Sequence, residues 1–227
     1  MKPKFKVERL SDTVTLYLGD CREVLPTLGK VDADGIGVEY ISFNDTIDNL
    51  RLLIASTIPQ LKESAKRVII TSGNVAQYDY PKPVWTLAWI TPAGSGSGPW
   101  GFSCWQPILC YGKDPYLQTG KGRSRDIIEH TESSEENGHP CPKPLRFMQR
   151  LLNRVTLKDE LILDPFMGSG TTGVACVKLN RKFIGIEIEP TYFDIACKRL
   201  EKALKEPNLF QEPIKRKRAS FKQTWGA

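Results

Sequence analysis

The stretch of the sequence that most constrains the fold is residues 161–188. The apolar run Leu161–Asp164 has the composition of a buried strand and leads into the glycine-rich residues 168–173. Residues 174–179 suit a helix and residues 183–188 a second strand, and Pro190 is suited to the first turn of a last helix. This β-α-β-α order is typical of a parallel sheet with helices on its faces. The sequence therefore predicts an α/β fold with a Rossmann-like wound, mostly parallel sheet.

The rest of the chain offers further elements of the same kind. Strands are predicted at residues 14–20, 67–71, 84–90 and 107–111, and helices at residues 21–28, 45–61 and 143–155. Between two of these strands, residues 91–105 hold four glycines, two prolines and three large aromatic residues, which predicts an irregular loop. We expect one domain over residues 1–227, with a compact insert at 91–138 and a basic tail at 207–227.

Composition limits the classes of function. The net charge of +6 favours a polyanionic partner, nucleic acid first among them. Lys215, Arg216, Lys217 and Arg218 form a basic run that suits either phosphate contacts or a solvated end. No apolar run is long enough for a membrane span, and the first residues hold no apolar signal segment, so a cytoplasmic location is expected. The six cysteines form no CxxC pair, and we expect free thiols and no metal site.

A cofactor that contains ribose is indicated by the last third of the chain. Residues 168–173 read GxGxxG between a strand and a helix, and the acidic Glu187 ends the next strand. NAD is one candidate for such a site. However, Asp164 precedes the turn, where a carboxylate would repel a pyrophosphate and attract a cationic amino acid group. This contrast favours S-adenosylmethionine, which carries such a group and has no phosphate.

Several motifs resemble those of one known family. LDPFMGSGTTG and FIGIEIEPTYFDIACKRL resemble the S-adenosylmethionine-binding motifs of the DNA adenine and cytosine amino-methyltransferases. HPCPKPLRFMQRLL and LYLGDCREVL resemble the preceding motif and the N-terminal strand of the circularly permuted branch of that family. The resemblance implies the methyltransferase fold, double-stranded DNA as substrate and a methylation activity of the kind found in restriction-modification systems. It leaves open a homodimer and a restriction partner.

The resemblance also implies roles for individual residues. Asp164, Phe166, Gly168 and Gly170 would line the methionine end of the cofactor, and Lys143 and Pro144 would close that side. Glu187 would bind the ribose, Ile188 would pack on the adenine, and Asp20 with Cys21 would reach the adenine amino group. The remaining residues of the same turn complete the expected cofactor site: Pro165, Ser169, Thr171 and Thr172.

The catalytic motif of the family is not found where it is expected. The family holds the target amine with Asp/Asn/Ser-Pro-Pro-Tyr/Phe at a strand end, yet the chain reads GKVDADGIGVEY and contains no Pro-Pro pair. Only residues 31–34 separate Lys30 from Gly35, which is too short for a central strand, so we expect a missing segment of about seven residues by the usual strand length. Asp34 is the remaining candidate for an amine acceptor.

Candidate DNA contacts lie in two segments besides the tail. Trp100 and Phe102 fall in the glycine-rich loop and suit stacking on bases or insertion between them, whereas Trp85 and Trp89 have strand spacing and are expected in the core. The cations of the polar stretch that follows are further candidates: Lys121, Arg123 and Arg125. The resemblance implies that the insert at residues 91–138 would recognise the DNA target.

Three hypotheses remain for the function of the chain: a DNA amino-methyltransferase, a catalytically impaired relative that binds S-adenosylmethionine and DNA, and an NAD-dependent oxidoreductase.

Overall fold

The fold is that of a computed structural model, which describes residues 5–38 (33–38 by backbone alone), 47–92, 94, 96–129 and 143–206. Its strands are β1 (Lys6–Ser11), β2 (Val14–Leu18), β3 (Ala33–Val38), β4 (Arg67–Thr71), β5 (Trp85–Ile90), β6 (Ser97–Gly98), β7 (Gly101–Phe102), β8 (Trp105–Gly112), β9 (Ile127–Glu129), β10 (Leu161–Asp164) and β11 (Lys182–Glu187). Its helices are α1 (Cys21–Val24), α2 (Ile47–Ser64), α3 (Pro115–Gln118), α4 (Leu145–Val155), α5 (Thr171–Lys178) and α6 (Pro190–Lys205).

Nine of these strands form one sheet in the order β1-β2-β11-β10-β3-β4-β8-β5-β9. All of them run in one direction except β1 and β8, which pair antiparallel with their neighbours. The predicted α/β fold with a mostly parallel sheet is therefore confirmed. The last two strands in sequence, β10 and β11, lie between β2 and β3, so the two ends of the chain jointly build the middle of the sheet. This interleaving is what a circularly permuted order requires.

Helices cover both faces of the sheet, because parallel strands are joined by crossovers that return over a face. On one face α4, α5 and α6 pack on strand residues that include Ile69 and Ile162. On the other face α1 and α2 pack on Val68, Ile70 and Leu163. Neighbouring residues of a strand thus belong to different cores, as the two-residue period of a strand dictates.

The predicted shortening of the central strand is wrong. β3 is six residues long and includes Gly35 and the residues after it, between β10 and β4. Leaving that position empty would expose unpaired backbone groups on both neighbouring strands, so the chain beyond Asp34 is drawn into the sheet. The pairing is irregular: between Asp34 and Gly37, β3 holds one residue more than the facing stretch of β4, from Val68 to Ile70.

Two further expectations are corrected. The segment expected to be irregular contains a two-stranded hairpin, β6 with β7, because Pro99 and Trp100 form a tight turn between Gly98 and Gly101. Trp89 is in the core at 5% exposure, whereas Trp85 is 60% exposed and is not a core residue. Strand spacing alone did not distinguish the two, since Trp85 is the first residue of β5, beyond the helices that cover its middle.

Candidate active site

The carboxyl ends of the central parallel strands bring together the three acidic residues predicted for the cofactor site. Asp164 is the last residue of β10 and Glu187 the last of β11, while Asp20 follows β2 by two residues. The backbone N–H of Gly19 donates to the carbonyl of Glu187 over 2.9 Å, which joins the ends of β2 and β11. Ligands of wound sheets bind at this edge, so the arrangement defines a candidate cofactor site.

Asp164 is almost completely buried, at 1% exposure. Its carboxylate accepts a hydrogen bond from the backbone N–H of Phe166 at 3.1 Å and another from the hydroxyl of Thr172. Burial nevertheless raises the pKa of Asp164 to about 7, and the negative charge of Glu187 adds to the rise. A cationic ligand at this position would relieve the penalty of the buried charge, whereas a pyrophosphate would increase it.

Glu187 is also buried, and its carboxylate accepts three backbone hydrogen bonds. The donors are the N–H groups of Gly168 at 2.8 Å, Ile188 at 3.0 Å and Glu189 at 2.8 Å. Burial raises the pKa of Glu187 despite these bonds. Because a carboxylate offers about four acceptor positions, it retains capacity for a hydroxyl group of a ligand. The adjoining Ile188 is 65% exposed and offers an apolar surface beside that carboxylate.

The glycine-rich turn is held between these acids and α6. Gly168 and Gly170 have left-handed φ values of 51° and 79°, which side chains with a Cβ rarely adopt. A Cβ at Gly170 would also lie 2.9 Å from the Cβ of Ala196 on α6. Pro165, Ser169, Thr171 and Thr172 of the turn are buried with it, and Phe166 is half-buried. Gly173 lies within α5, where a Cβ would meet the ring of Phe183 at 2.5 Å, so this glycine serves packing.

Arg199 is a residue of this site that sequence reasoning missed. Its guanidinium reaches from α6 and donates to the carbonyl of Ser169 at 2.6 Å and to the hydroxyl of Thr171 at 3.1 Å. It thereby joins α6 to the turn and to the first residue of α5. The spacing of Arg199 could have indicated this role. It is a basic residue three positions after Ala196 and four before Ala203, and therefore lies on the buried face of α6.

Asp20 and Cys21 lie at the start of α1, beside this cluster. The Asp20 carboxylate caps α1 by accepting from the backbone N–H of Arg22 at 2.8 Å, and the Arg22 guanidinium pairs with both of its oxygens. This hydrogen-bonded pair lowers the pKa of Asp20. Cys21 is buried, which raises the pKa of its thiol to about 12, so it is a packing group and not a nucleophile.

Lys143 and Pro144 lie at the start of α4, the helix beside α5. Pro144 is buried, and the ammonium of Lys143 lies 5.2 Å from the centre of the Trp89 ring. Trp89 in turn stacks on Phe147, with ring centres 3.8 Å apart. The structure thus fixes Lys143 against the core at the beginning of α4, and a role toward the cofactor stays a prediction.

Asp34, the candidate amine acceptor, is the second residue of β3 and pairs with Leu163 and Val68. The end of the strand, Val38, is level with Thr71 at the end of β4. Asp34 therefore lies within the sheet and not at its carboxyl edge, where a base must be held. This backbone position does not support a role for Asp34 as the acceptor.

The predicted DNA contacts fall at two opposite edges. The hairpin with Trp100 and Phe102 follows the end of β5, at the edge that holds Asp164 and Glu187, and both aromatic side chains are exposed. Two of the predicted cations, Lys121 and Arg123, lie between β8 and β9. Because β8 runs antiparallel to its neighbours, the chain leaves it at the edge of the sheet opposite the candidate site. The third, Arg125, accepts through its carbonyl from Arg154 near the end of α4 at 3.3 Å. The basic run at 215–218 lies outside the described residues.

Over the described residues, the structure holds no group of three or more His, Cys, Asp or Glu side chains placed to bind a metal ion. Among the described helices, none is long and apolar enough to cross a membrane. The five described cysteines are free thiols, and Cys141 lies outside the described part.

Solved structures share this fold. The complex of M1.HpyAVI with SAM is 25% identical, covers 82% of this chain and 98% of its own, and has a TM-score of 0.62. The cytosine-N4-specific PvuII DNA methyltransferase superposes with a TM-score of 0.68 at 13% identity, over 88% of this chain and 94% of its own. The wound, mostly parallel sheet of this chain is therefore the Rossmann-like fold that it shares with these methyltransferase structures.

The sequence comparison gives the family. Residues 51–198, more than half of the chain, match the DNA methylase family of N6 and N4 methyltransferases, and the chain belongs to that family. Similar proteins include the type II methyltransferases M2.LlaDCHI of Lactococcus lactis subsp. cremoris, 49% identical over 32% of this chain, and M.HindIII of Haemophilus influenzae, 41% identical over 37% of this chain. In each case the match spans 28% of the relative's own length.

Proposed function

We propose that this protein binds S-adenosylmethionine at the carboxyl edge of its sheet and methylates the exocyclic amino group of adenine or cytosine in double-stranded DNA. The observation that carries the proposal is the pair of buried carboxylates, Asp164 and Glu187, on either side of the glycine-rich turn. Two buried acids favour a cationic ligand over the pyrophosphate of NAD, which makes the oxidoreductase hypothesis the weakest of the three. Membership of the DNA methylase family supports the same conclusion.

The residues of the site would act as follows. Asp164 would hold the cationic methionine end, with Gly168 and Gly170 allowing close backbone approach. Glu187 would accept from the ribose hydroxyls, and Ile188 would pack on the adenine. When bound, the cofactor supplies a methyl group on a positively charged sulfur. The chain's own residues orient that group toward the ends of β3 and β4, where a base taken out of the DNA stack would have to lie.

Asp20 requires a rearrangement to take part. Its carboxylate is paired with Arg22, so reaching the adenine amino group would require Arg22 to release at least one of its oxygens. The Arg22 side chain is half-exposed, so its guanidinium would be solvated if this pair opened. An adenine contact by Asp20 is therefore compatible with the site once this pair opens.

Rapid methyl transfer requires a group that positions the target amine. An exocyclic amine is a poor nucleophile, and orientation contributes several kcal/mol to a transfer of this kind, about 7–11 kcal/mol in favourable cases. The chain has no Pro-Pro pair, and Asp34 lies within β3. We therefore expect methyl transfer by this chain to be slow although it still binds its cofactor, and a complete lack of transfer would favour the second hypothesis, a relative that binds S-adenosylmethionine and DNA without catalysis. A DNA-modifying protein with bacterial relatives would act in the cytoplasm, beside a restriction enzyme if it has one.

The test is transfer of a tritiated methyl group to DNA of mixed sequence. The chain is compared with a variant that carries Val-Val-Thr-Asp-Pro-Pro-Tyr after Ala33, and titration calorimetry with S-adenosylmethionine is run on both. We expect cofactor binding by both proteins and much faster transfer by the repaired one. Equal turnover would contradict our interpretation of residues 30–40. Absence of cofactor binding in both would refute the proposed function.

A substitution at Asp164 tests whether S-adenosylmethionine binds at the proposed site. Asp164→Ala removes a charged hydrogen-bond acceptor worth about 1.5–3 kcal/mol, so the dissociation constant for S-adenosylmethionine should rise more than about tenfold. Asp126→Ala is a matched control, because Asp126 is exposed and directly precedes β9 at the opposite edge of the sheet. An affinity unchanged by Asp164→Ala would refute the assignment of the site.

A further inference from the structure

The hairpin of β6 and β7 exposes a tryptophan, Trp100, at the edge of the sheet that holds the candidate site. Trp100 is fully exposed at the turn, and Phe102 beside it is 82% exposed. Pro99 restricts the backbone before Trp100, and Gly101 after it has a φ of 117° that permits the tight turn. A large apolar side chain is therefore held away from the body of the protein on a short and constrained support.

The base of the hairpin is fastened to the sheet. Asn74, in the loop after β4, donates from its side-chain nitrogen to the hydroxyl of Ser103 at 2.5 Å and to the carbonyl of Trp105 at 3.0 Å. The backbone N–H of Thr91 donates to the carbonyl of Cys104 at 2.8 Å, which joins the two strands that lead into the hairpin. These bonds attach the base of the hairpin to the end of the sheet and so set the direction in which Trp100 projects.

The position of the hairpin relative to the site suits a DNA duplex. β5, from which the hairpin leaves, is three strands away from β3. At about 4.8 Å between neighbouring strands this is about 14 Å, the length of roughly four stacked base pairs at about 3.4 Å each. The strand that carries the hairpin therefore lies within a few base pairs of a base held at the end of β3, if the duplex runs along this edge of the sheet.

We propose that Trp100 inserts into the base stack of double-stranded DNA, and that Asn74 is the positioning residue that holds the hairpin for this purpose. The inference rests on the proposed function, because it takes DNA as the partner. Insertion of an aromatic wedge partly unstacks a base step and unwinds the duplex locally. It is independent of methyl transfer, so it applies whether or not the chain is an active enzyme.

The experiment measures unwinding of closed circular DNA. Plasmid is relaxed by a topoisomerase in the presence of the full chain and S-adenosylmethionine, and the change in linking number is read on a gel. Binding to a linear duplex is measured in parallel by fluorescence anisotropy at one salt concentration. The variants are Trp100→Ala, Trp100→Phe and Asn74→Ala. Trp85→Ala is the matched control, since Trp85 is an exposed tryptophan at the opposite end of β5.

The expected results separate the wedge from other roles. Wild type and Trp85→Ala should unwind the plasmid, Trp100→Ala should lose most of the unwinding and about tenfold in affinity, and Trp100→Phe should regain part of both. Asn74→Ala should reduce unwinding although it leaves Trp100 in place. Unwinding by Trp100→Ala equal to that of wild type would overturn the inference, as would DNA binding by wild type without unwinding. Loss of methyl transfer or cofactor binding alone would affect only the proposed function.

Discussion

Replacing Asp164 with asparagine should stabilise the cofactor-free protein while it weakens cofactor binding. The amide keeps the shape of the side chain and can still accept from the backbone N–H of Phe166. It removes a charge that the fold buries at a cost, as the pKa of about 7, raised from 3.8, indicates. That rise corresponds to about 4 kcal/mol of stability lost when the carboxyl ionises in the folded state.

The pH at which this difference appears follows from the direction of the shift. Because the folded pKa is raised, the wild-type carboxyl is tolerated below its unfolded pKa of 3.8 and destabilises increasingly as the pH rises toward 7. The advantage of Asp164→Asn should therefore be small near pH 4, about 1.5 kcal/mol at pH 5 and about 4 kcal/mol at pH 8, with no further gain above that. Contributions from titrating groups that do not interact with Asp164 are common to both proteins and cancel in the difference, whereas the repulsion between Asp164 and Glu187 is part of the measured effect.

Urea unfolding of both proteins without cofactor, followed by tryptophan fluorescence at pH 5, 6, 7 and 8, measures this difference. The slope with pH is the decisive quantity, since a constant offset could arise from packing of the amide. Titration calorimetry should show that the same variant binds S-adenosylmethionine at least about tenfold more weakly, because a charged acceptor is lost. If the difference in stability between the wild type and Asp164→Asn did not change between pH 5 and pH 8, the ionised carboxylate of Asp164 would not destabilise the folded protein as we expect.

Three further expectations concern other parts of the chain. Arg199→Met should raise the dissociation constant for S-adenosylmethionine about tenfold in calorimetry with a smaller effect of Arg199→Lys, and equal affinity of all three proteins would contradict its role in holding the turn. Gly170→Ala should lower the free energy of unfolding by about 1–3 kcal/mol in urea titrations, because its φ of 79° and the nearby Ala196 leave no room for a Cβ. Deleting residues 213–227 should reduce the dependence of DNA affinity on salt concentration, measured by fluorescence anisotropy, because the basic tail would no longer contact phosphates. Arg123→Ala, at the edge of the sheet away from the site, should leave this dependence unchanged. If the deletion also left it unchanged, the tail would not contact DNA.

Local patterns in the sequence were sufficient for much of the fold and for the two acids that flank the glycine-rich turn. The order of strands and helices in residues 161–205, the glycine-rich turn and the acid that ends β11 could all be predicted, because each depends on residues close together in the chain. The two-residue and 3.6-residue periods indicate strands and helices without reference to their partners. The edge strand β1 and the short β9 were not predicted, since their exposed or brief patterns carry little periodic signal.

Tertiary structure decided the features that depend on distant partners. β3 extends beyond Gly35 because the backbone groups of β10 and β4 need hydrogen-bond partners between them. The residues before Gly35 are too few for a strand by themselves, so the sequence did not predict its full length. The raised pKa of Asp164 comes from burial and from Glu187, which no local pattern contains. The sequence by itself determined that Asp164 precedes the glycine-rich turn and that Glu187 ends the next strand. Only the sheet decided that the aromatic hairpin shares their edge and that Lys121 and Arg123 do not, because the direction of each strand fixes the edge at which its loops emerge.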